Sequence, residues 1–521
     1  MSTVVTRASE PPKQSRIDWR EKALLAAIAV LFLAVAIRSA LLRPFWFDEL
    51  STFFISSIPT LKEMFEAIHA DGNPLMYFLL ARITLHLPLP TELALRLPSI
   101  LAFSVAASTV YFFVRRSAGG IFALAAMGMF LGTAVVQYGI EARSYALLLC
   151  FTGLALCCWQ IACCRASRGP ALAGIVASTA GAVLTNHYGL IYALAPIFAA
   201  EAVRTWRRRR VDWDVLLCCA LGAVASLLTL PPMLRRQHEL LSTIRFSPVF
   251  FAHPHLTDLS GYSVMLPHFS LILVVLAVVA VVALQAVSPL SPAHDDHQGT
   301  PVEDFAAAVT LALFLPLMLT ITHFGTGYFQ LRYAVGSAMG IGLVAGLTLS
   351  RVAARWPKVR HVARAVAAYS LAAGLLSLMT AATPSGMVSK LLRHPPDAPE
   401  AIVVADAAQF TPAWWYASPP LRARMHYLTD HRFAGKQIDF IPEFSLALER
   451  DYLPMRLDDY QQFIADHPRF LLYCYSMPML EWTKDRLVGD GWTLTLLQKD
   501  GEQELYQATA PGQPFSESTQ R

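Results

Sequence analysis

The stretch that decides the fold is Ala23–Leu42, ALLAAIAVLFLAVAIRSALL, followed at once by Arg43-Pro44-Phe45-Trp46-Phe47-Asp48-Glu49. As a helix, this nearly uncharged stretch is long enough to cross the ~30 Å of hydrocarbon in a bilayer. A cleaved leader would have a shorter apolar region and would end in a small-x-small site, which does not follow here. The segment is therefore read as a retained first span. The aromatic residues and the two carboxylates behind it mark where the chain leaves the membrane.

The rest of the chain repeats that pattern. Of 521 residues, 55% are hydrophobic and only 15% charged, and the mean hydropathy is +0.44. Apolar stretches at 23–42, 97–114, 118–136, 144–163, 171–186, 189–203, 213–231, 266–287, 304–323, 333–350 and 361–380 predict about 11 transmembrane helices. The basic clusters fall at alternate ends: Lys13 to Lys22, Arg115-Arg116, Arg165 and Arg168, Arg204 and Arg207–Arg210, and Arg351 to Arg360. All of these face the cytoplasm if the N-terminus does. The acidic, His-rich loop 288–303, assigned inside, and Arg235-Arg236, assigned outside, run against that rule. The net charge of +5 is modest, and the arginine run beside an apolar span reads as a membrane anchor, so nucleic acid is excluded as a partner. Seven of the eight cysteines lie in or at the ends of apolar spans, and only Cys474 lies in the polar tail. No disulfide within the tail is therefore expected, and the adjacent Cys pairs lack the polar partners of a metal site.

An odd number of spans puts the tail on the outside. The fold class is thus a mainly α, polytopic membrane protein with a small extracytoplasmic α/β domain: 1–382 within the membrane and 383–521 outside it. In the tail, Ala401–Asp406 and Phe470–Tyr475 read as buried strands. Glu481–Val488 reads as a helix, and Trp492–Leu497 with Gln503–Gln507 as a closing hairpin. The first outer loop, 43–96, holds an amphipathic stretch, Leu61–Ile68, and an apolar run, Pro74–Leu87, too short to span. Such segments lie at the interface and roof a cavity.

The residues able to do chemistry gather on that outer side. Asp48, walled by Trp46, Phe47 and Leu50, is the candidate catalytic base, because aromatic neighbours raise a carboxylate's proton affinity. Glu49 points elsewhere on the helix and could pair with a base or a metal. Asp71, in the turn Asp71-Gly72-Asn73-Pro74, either caps that turn or holds an acceptor hydroxyl or a divalent ion. Arg143 and Arg332, each beside a tyrosine at the outer start of a span, suit a phosphate clamp at a helix N-terminus. The alternative for both is snorkelling to lipid headgroups. His187, in Asn186-His187-Tyr188-Gly189, is either a turn residue or a ligand to substrate or metal, and Glu141 could bind sugar hydroxyls.

In this order, Trp46-Phe47-Asp48-Glu49, Asp71-Gly-Asn-Pro-Leu-Met-Tyr77, Arg96-Leu-Pro98-Ser99, Glu141-Ala-Arg143-Ser-Tyr145, Asn186-His187-Tyr188 and Arg332-Tyr333 resemble the membrane-embedded GT-C glycosyltransferases. The nearest group is the family 39-like one, with protein O-mannosyltransferases and the bacterial lipid A aminoarabinose transferase. The resemblance covers roughly residues 20–380. Many members carry a doubled proline where this chain has Asn73-Pro74. The likeness implies a polyprenyl-phosphate sugar donor and transfer, with inversion, to an extracytoplasmic lipid, glycan or protein. It implies Asp48 as base, with Glu49 and Asp71 as further candidate catalytic acids. Arg143 and Arg332 would hold the donor phosphate, with Tyr333, Glu141, Tyr145, His187, Tyr77 and Arg96 at the substrate. It implies a bacterial inner membrane, with the site and the tail facing the periplasm. No cofactor is required beyond an optional divalent metal ion. The competing reading is a transporter or flippase, which would carry charged or broken-helix residues near the midplane and an internal repeat; neither is evident.

Overall fold

The computed structural model describes residues 18–71, 73–164, 168–244, 254–266, 301–325, 327, 329–380, 400–437, 443–444, 446–447, 450–475 and 481–512. The chain divides into two compact units: Met1–Ala40, Arg96–Leu228 and Pro254–Ala381 form the first, and Leu41–Leu95, Thr229–His253 and Ala382–Arg521 the second.

The first unit is helical and apolar. Trp19–Leu42, Thr91–Ala118, Tyr145–Cys163, Leu331–Arg355 and Val359–Thr380 are each long and apolar enough to cross a membrane. Among the described residues, three bent pairs raise the number to eight if each is one span: Gly120–Leu131 with Ala134–Ile140 (76°), Trp213–Ala223 with Ser226–Pro232 (40°), and Val302–Ala312 with Phe314–Phe324 (54°). Gly169–Thr185 and Gly189–Arg208 are further helices. The expected span at 266–287 lies outside the described residues.

Burial separates the centre of this unit from its rim. The apolar window of Leu331–Arg355 is 83% buried, against 22% for Trp19–Leu42 and 28% for Val359–Thr380. The central helix owes its place to small residues. A Cβ at Gly342 would come within 2.7 Å of the Ala126 carbonyl oxygen, and one at Gly346 within 2.8 Å of that of Phe122. Backbones approach that closely only where side chains are absent, and dispersion then holds helices together without a hydrophobic driving force.

One end of this bundle carries basic residues, several of them tied to an acid. Arg115 Nε meets Glu21 Oε1 at 2.8 Å, joining the end of Thr91–Ala118 to the start of Trp19–Leu42. Arg168 and Arg204 converge on Asp212 at 2.7 and 2.9 Å, and Arg207 reaches Glu303 at 3.0 Å. Asp304 accepts from Gln160 Nε2 at 2.8 Å and from the Ser117 hydroxyl. Glu303, at the end of the loop 288–303 that counts against a basic inner face by sequence, thus stands as a counter-ion to Arg207.

The second unit holds a six-stranded sheet of order β3-β2-β1-β4-β6-β5, with β1 Ile402–Val404, β2 Met425–Thr429, β3 Arg456–Asp459, β4 Arg469–Tyr475, β5 Thr493–Asp500 and β6 Gln503–Thr509. The first four strands run parallel, and β5 and β6 close the sheet antiparallel. β1 and β2 are buried along their whole length, as strands covered on both faces must be. The chain builds β1 to β3 outward on one side of β1 and then returns to place β4 on the other, so the strand order reverses between β1 and β4.

The outer loop belongs to this unit. It folds as Phe47–Ser56, Leu61–Asp71 and Met76–Leu85 around a core of Ile55, Ile58, Met64, Ala67, Ile68 and Phe78, against which Tyr452 of the tail packs. The expected amphipathic stretch and short apolar run are thus both helices. From Met76–Leu85, the Arg82 guanidinium donates to the carbonyls of Ser56 and Ile58 and, at 2.7 Å, of Pro59, closing the end of Phe47–Ser56.

Candidate active site

Within the first unit, the helix ends opposite the basic cluster carry three turns. Tyr145–Cys164, Gly189–Arg208 and Gly336–Arg355 all begin there, and their far ends lead to the basic residues. The first turn leaves the short 3-10 helix Ala134–Ile140 and runs through Glu141 and Arg143 to Tyr145. Arg143 N–H donates to the Glu141 carbonyl at 2.8 Å, and the Ser99 hydroxyl donates to the Arg143 carbonyl at 3.2 Å. Glu141 and Tyr145 are buried, and the rings of Tyr138 and Tyr145 stand 5.0 Å apart.

The second turn is Asn186-His187-Tyr188. Its form follows from the asparagine: Asn186 Oδ1 accepts from Tyr188 N–H at 3.0 Å, and the Asn186 carbonyl accepts from Gly189 N–H at 2.8 Å. Asn186 Nδ2 donates to the Ser144 hydroxyl at 3.2 Å, joining this turn to the first. His187 is half-buried.

The third turn is Leu331–Ala334, a single 3-10 turn before Gly336–Arg355. Tyr192 pins it from the neighbouring helix: its hydroxyl donates to the Tyr333 carbonyl at 2.8 Å and accepts from Gly336 N–H at 3.0 Å. The rings of Tyr333 and Tyr188 lie 5.0 Å apart, which joins the third turn to the second. Tyr138 lies within electrostatic reach of Glu141, Tyr145 and Arg332. A cavity of about 160 Å³ opens among Gln137, Tyr138, Glu141, Met265, Leu331 and Val335. The cavity is thus lined by one carboxylate, Glu141, and one tyrosine, Tyr138, with the turns that bear Arg143 and Arg332 beside it in the chain. Helix starts present unpaired N–H groups, so such a place is suited to an anion.

The sequence candidates divide between the units. Glu141, Arg143, Tyr145, His187, Arg332 and Tyr333 come together in the first. Arg96, also in the first, is wholly buried and donates from Nη1 to the Ala40 carbonyl at 2.6 Å, satisfying the end of the first helix. Asp48, Glu49 and Tyr77 are in the second unit. Asp48 is half-buried in the first turn of Phe47–Ser56, and its carbonyl accepts from the Thr52 hydroxyl at 3.0 Å. Glu49 is fully buried, and its Oε2 accepts from Trp46 N–H at 3.4 Å, a capping contact. Tyr77 is buried and donates to the Leu95 carbonyl at 3.1 Å. Asp71 ends Leu61–Asp71, and its side chain lies outside the described part of the structure. Among the described residues, no group of three or more His, Cys, Asp or Glu side chains is placed to hold a metal ion.

Sequence reasoning passed over Gln137 and Tyr192. A polar Gln137 at the edge of an apolar span was the one available signal for the cavity. Tyr192, one turn into a span, is indistinguishable by sequence from an interfacial aromatic.

A polytopic helical unit with a small sheet-bearing unit is a fold of the GT-C type. Among solved structures the chain is similar to ArnT from Cupriavidus metallidurans without ligand, with a TM-score of 0.56, 14% identity and coverage of 94% of this chain and 98% of that one. It is also similar to the same protein bound to undecaprenyl phosphate, with a TM-score of 0.53, 12% identity and coverage of 93% and 97%. At these identities the likeness is one of fold. No protein-family model and no curated protein sequence matches the chain.

Proposed function

We propose that this chain is a glycosyltransferase of a multi-pass membrane, moving a sugar from a polyprenyl-phosphate donor to an extracytoplasmic lipid, glycan or protein. The observation that carries the reading is that the Glu141–Arg143, Asn186–Tyr188 and Arg332–Tyr333 turns are joined to one another by Asn186–Ser144 and Tyr188–Tyr333 contacts, beside a cavity lined by Glu141 and Leu331, at the ends of helices whose other ends are basic. The fold shared with a protein solved with undecaprenyl phosphate supports the donor class. The about 11 spans expected from sequence, with the second unit outside a bacterial inner membrane, complete the proposed topology.

The chemistry asks little of a proton donor. The bond from the anomeric carbon to the phosphate oxygen breaks, and the polyprenyl phosphate, a phosphate monoester, departs as a stable anion that needs charge neutralisation rather than protonation. Arg143 and Arg332 are assigned that role. The acceptor hydroxyl or amine has to lose a proton as it attacks, and Asp48 is assigned as its base. Attack on the anomeric carbon opposite the departing phosphate inverts it. Asp48→Asn removes basicity at nearly constant volume. It is expected to lower transfer of label from an undecaprenyl-phosphate sugar to a membrane extract by about 100-fold or more, with undecaprenyl phosphate still bound. Near-normal turnover would remove Asp48 from the mechanism and make Glu49 or Asp71 the next candidate.

A further inference from the structure

Resting on that reading, we infer that the tail is part of the catalytic apparatus: Trp415 and Tyr416 are positioning residues for the helix that carries Asp48. That helix, Phe47–Ser56, has ten residues. A helix so short does not hold its own shape or direction in isolation, and its packing partners set both.

Those partners come from two directions. Arg82 fixes the far end through the carbonyls of Ser56, Ile58 and Pro59. The near end, where Asp48 sits, is held by the tail. Phe45 N–H donates to the Tyr416 hydroxyl at 2.7 Å, just ahead of the first helical turn. The Trp415 ring meets Phe53, Phe54 and Phe45 edge-on, with centroids 4.8, 5.9 and 6.2 Å away. One indole therefore touches the segment entering the helix and the helix's own last turn.

The clamp is itself rigid. Trp415 and Tyr416 end the helix Ala407–Tyr416, whose start is capped by Asp406 Oδ1, accepting from Ala408 N–H at 2.7 Å. Its end is capped by Arg422, which donates from Nε to the Trp414 carbonyl at 2.9 Å and from Nη2 to that of Trp415. The guanidinium also lies 5.0 Å over the Trp414 ring. A filler of apolar surface would need the ring alone. Here the ring, a hydroxyl on the entering backbone and capped carbonyls behind them all bear on one short helix.

The test uses the full-length protein in detergent. Hydrogen exchange of residues 44–56 needs no substrate, and in Trp415→Ala it is expected to speed up about 10-fold or more while 61–71 stays unchanged. With a panel of radiolabelled undecaprenyl-phosphate monosaccharides, the member turned over fastest by wild type is the probe. Trp415→Ala is expected to lower kcat about 10-fold with the donor KM within about two-fold, and Trp415→Phe to restore most of it. Tyr416→Phe, which keeps the ring, is expected to lower kcat about three-fold at unchanged Tm and carries the test if Trp415→Ala does not fold. Wild-type kcat and exchange in Trp415→Phe and Tyr416→Phe, together with wild-type kcat in any folded Trp415→Ala, would overturn the inference. Asp48→Asn run alongside separates the two failures: if it turns over normally, the glycosyltransfer reading of Asp48 is what falls.

Discussion

In the first unit, several charged side chains pair near helix ends, as with Arg168 and Arg204 on Asp212, and the close helix contacts are made by small residues. In the second unit, acids are buried at the carboxyl edge of the parallel strands. Glu443 is fully buried and accepts from the Tyr427 hydroxyl at 3.0 Å and the Trp482 indole at 2.6 Å. Burial pushes Glu443 up to about 7, and Glu481 and Asp406 up to about 8 and 6. A hydrocarbon surround tolerates polar groups only where a helix ends or pairs, so there chemistry can sit only at the breaks. A water-surrounded sheet can close over an acid and hold it protonated instead.

The largest effect expected on that contrast is at the breaks. Arg332→Ala and Arg143→Ala each remove a guanidinium from a helix start at the cavity. Each should weaken undecaprenyl phosphate binding about ten-fold or more, because a charge-assisted contact away from bulk water is worth at least ~1.5 kcal/mol. Binding measured by isothermal titration in detergent checks this. Unchanged affinity in both would return the arginines to headgroup snorkelling and leave the breaks as mere helix ends.

That same contrast decides how much was legible in the sequence. The apolar stretches at 23–42, 144–163 and 361–380 fall on helices Trp19–Leu42, Tyr145–Cys164 and Val359–Thr380, because length and hydropathy are sufficient there. The stretch 118–136 is instead broken after Leu131, and its last turns form the 3-10 helix that lines the cavity. Nothing in its hydropathy marks that bend. The candidate residues at breaks were visible as polar islands: Glu141, Arg143, His187 and Arg332. In the tail, β1, β4 and the closing hairpin stood out as apolar or alternating runs. β2 was hidden by His426 and Thr429, and β3 by Asp458 and Asp459, because those strands take polar partners; His426 Nδ1 lies 2.6 Å from Asp458 Oδ2. The packing of the outer loop on Trp415 left no local trace, since it joins residues some 360 positions apart.

A smaller effect sharpens the first half of the comparison. Tyr192 bridges the Tyr333 carbonyl and the Gly336 N–H with a single hydroxyl. Tyr192→Phe keeps the ring and leaves both backbone groups without that partner, so the Arg332 turn loosens while the bundle stays intact. Undecaprenyl phosphate affinity should fall about three- to ten-fold, in line with ~1 kcal/mol for a buried hydrogen bond. A drop in Tm with unchanged affinity would make Tyr192 a packing residue only.

The smallest effect belongs to the second unit and runs with pH. Glu481 accepts from Tyr475 N–H, and burial, reinforced by the charge of Asp406, pushes its carboxyl from 4.5 up to about 8. Between those values the folded chain holds a proton that the unfolded chain has released. The folded state therefore binds more protons, and stability falls as pH rises through that window, levelling off above about 8. Glu443 and Asp406 act with the same sign, but their decline is over at lower pH, near about 7 and 6. Glu481→Gln keeps an acceptor for Tyr475 and cannot ionise, so it removes one share of that decline. The variant should match wild type near pH 5 and melt a few degrees higher near pH 8.5, at ~2–4 °C for each kcal/mol recovered in a unit of this size. Melting followed by tryptophan fluorescence across that range checks it, since Trp482 adjoins the site in sequence. Parallel curves for the two proteins would mean that Glu481 is already ionised in the fold.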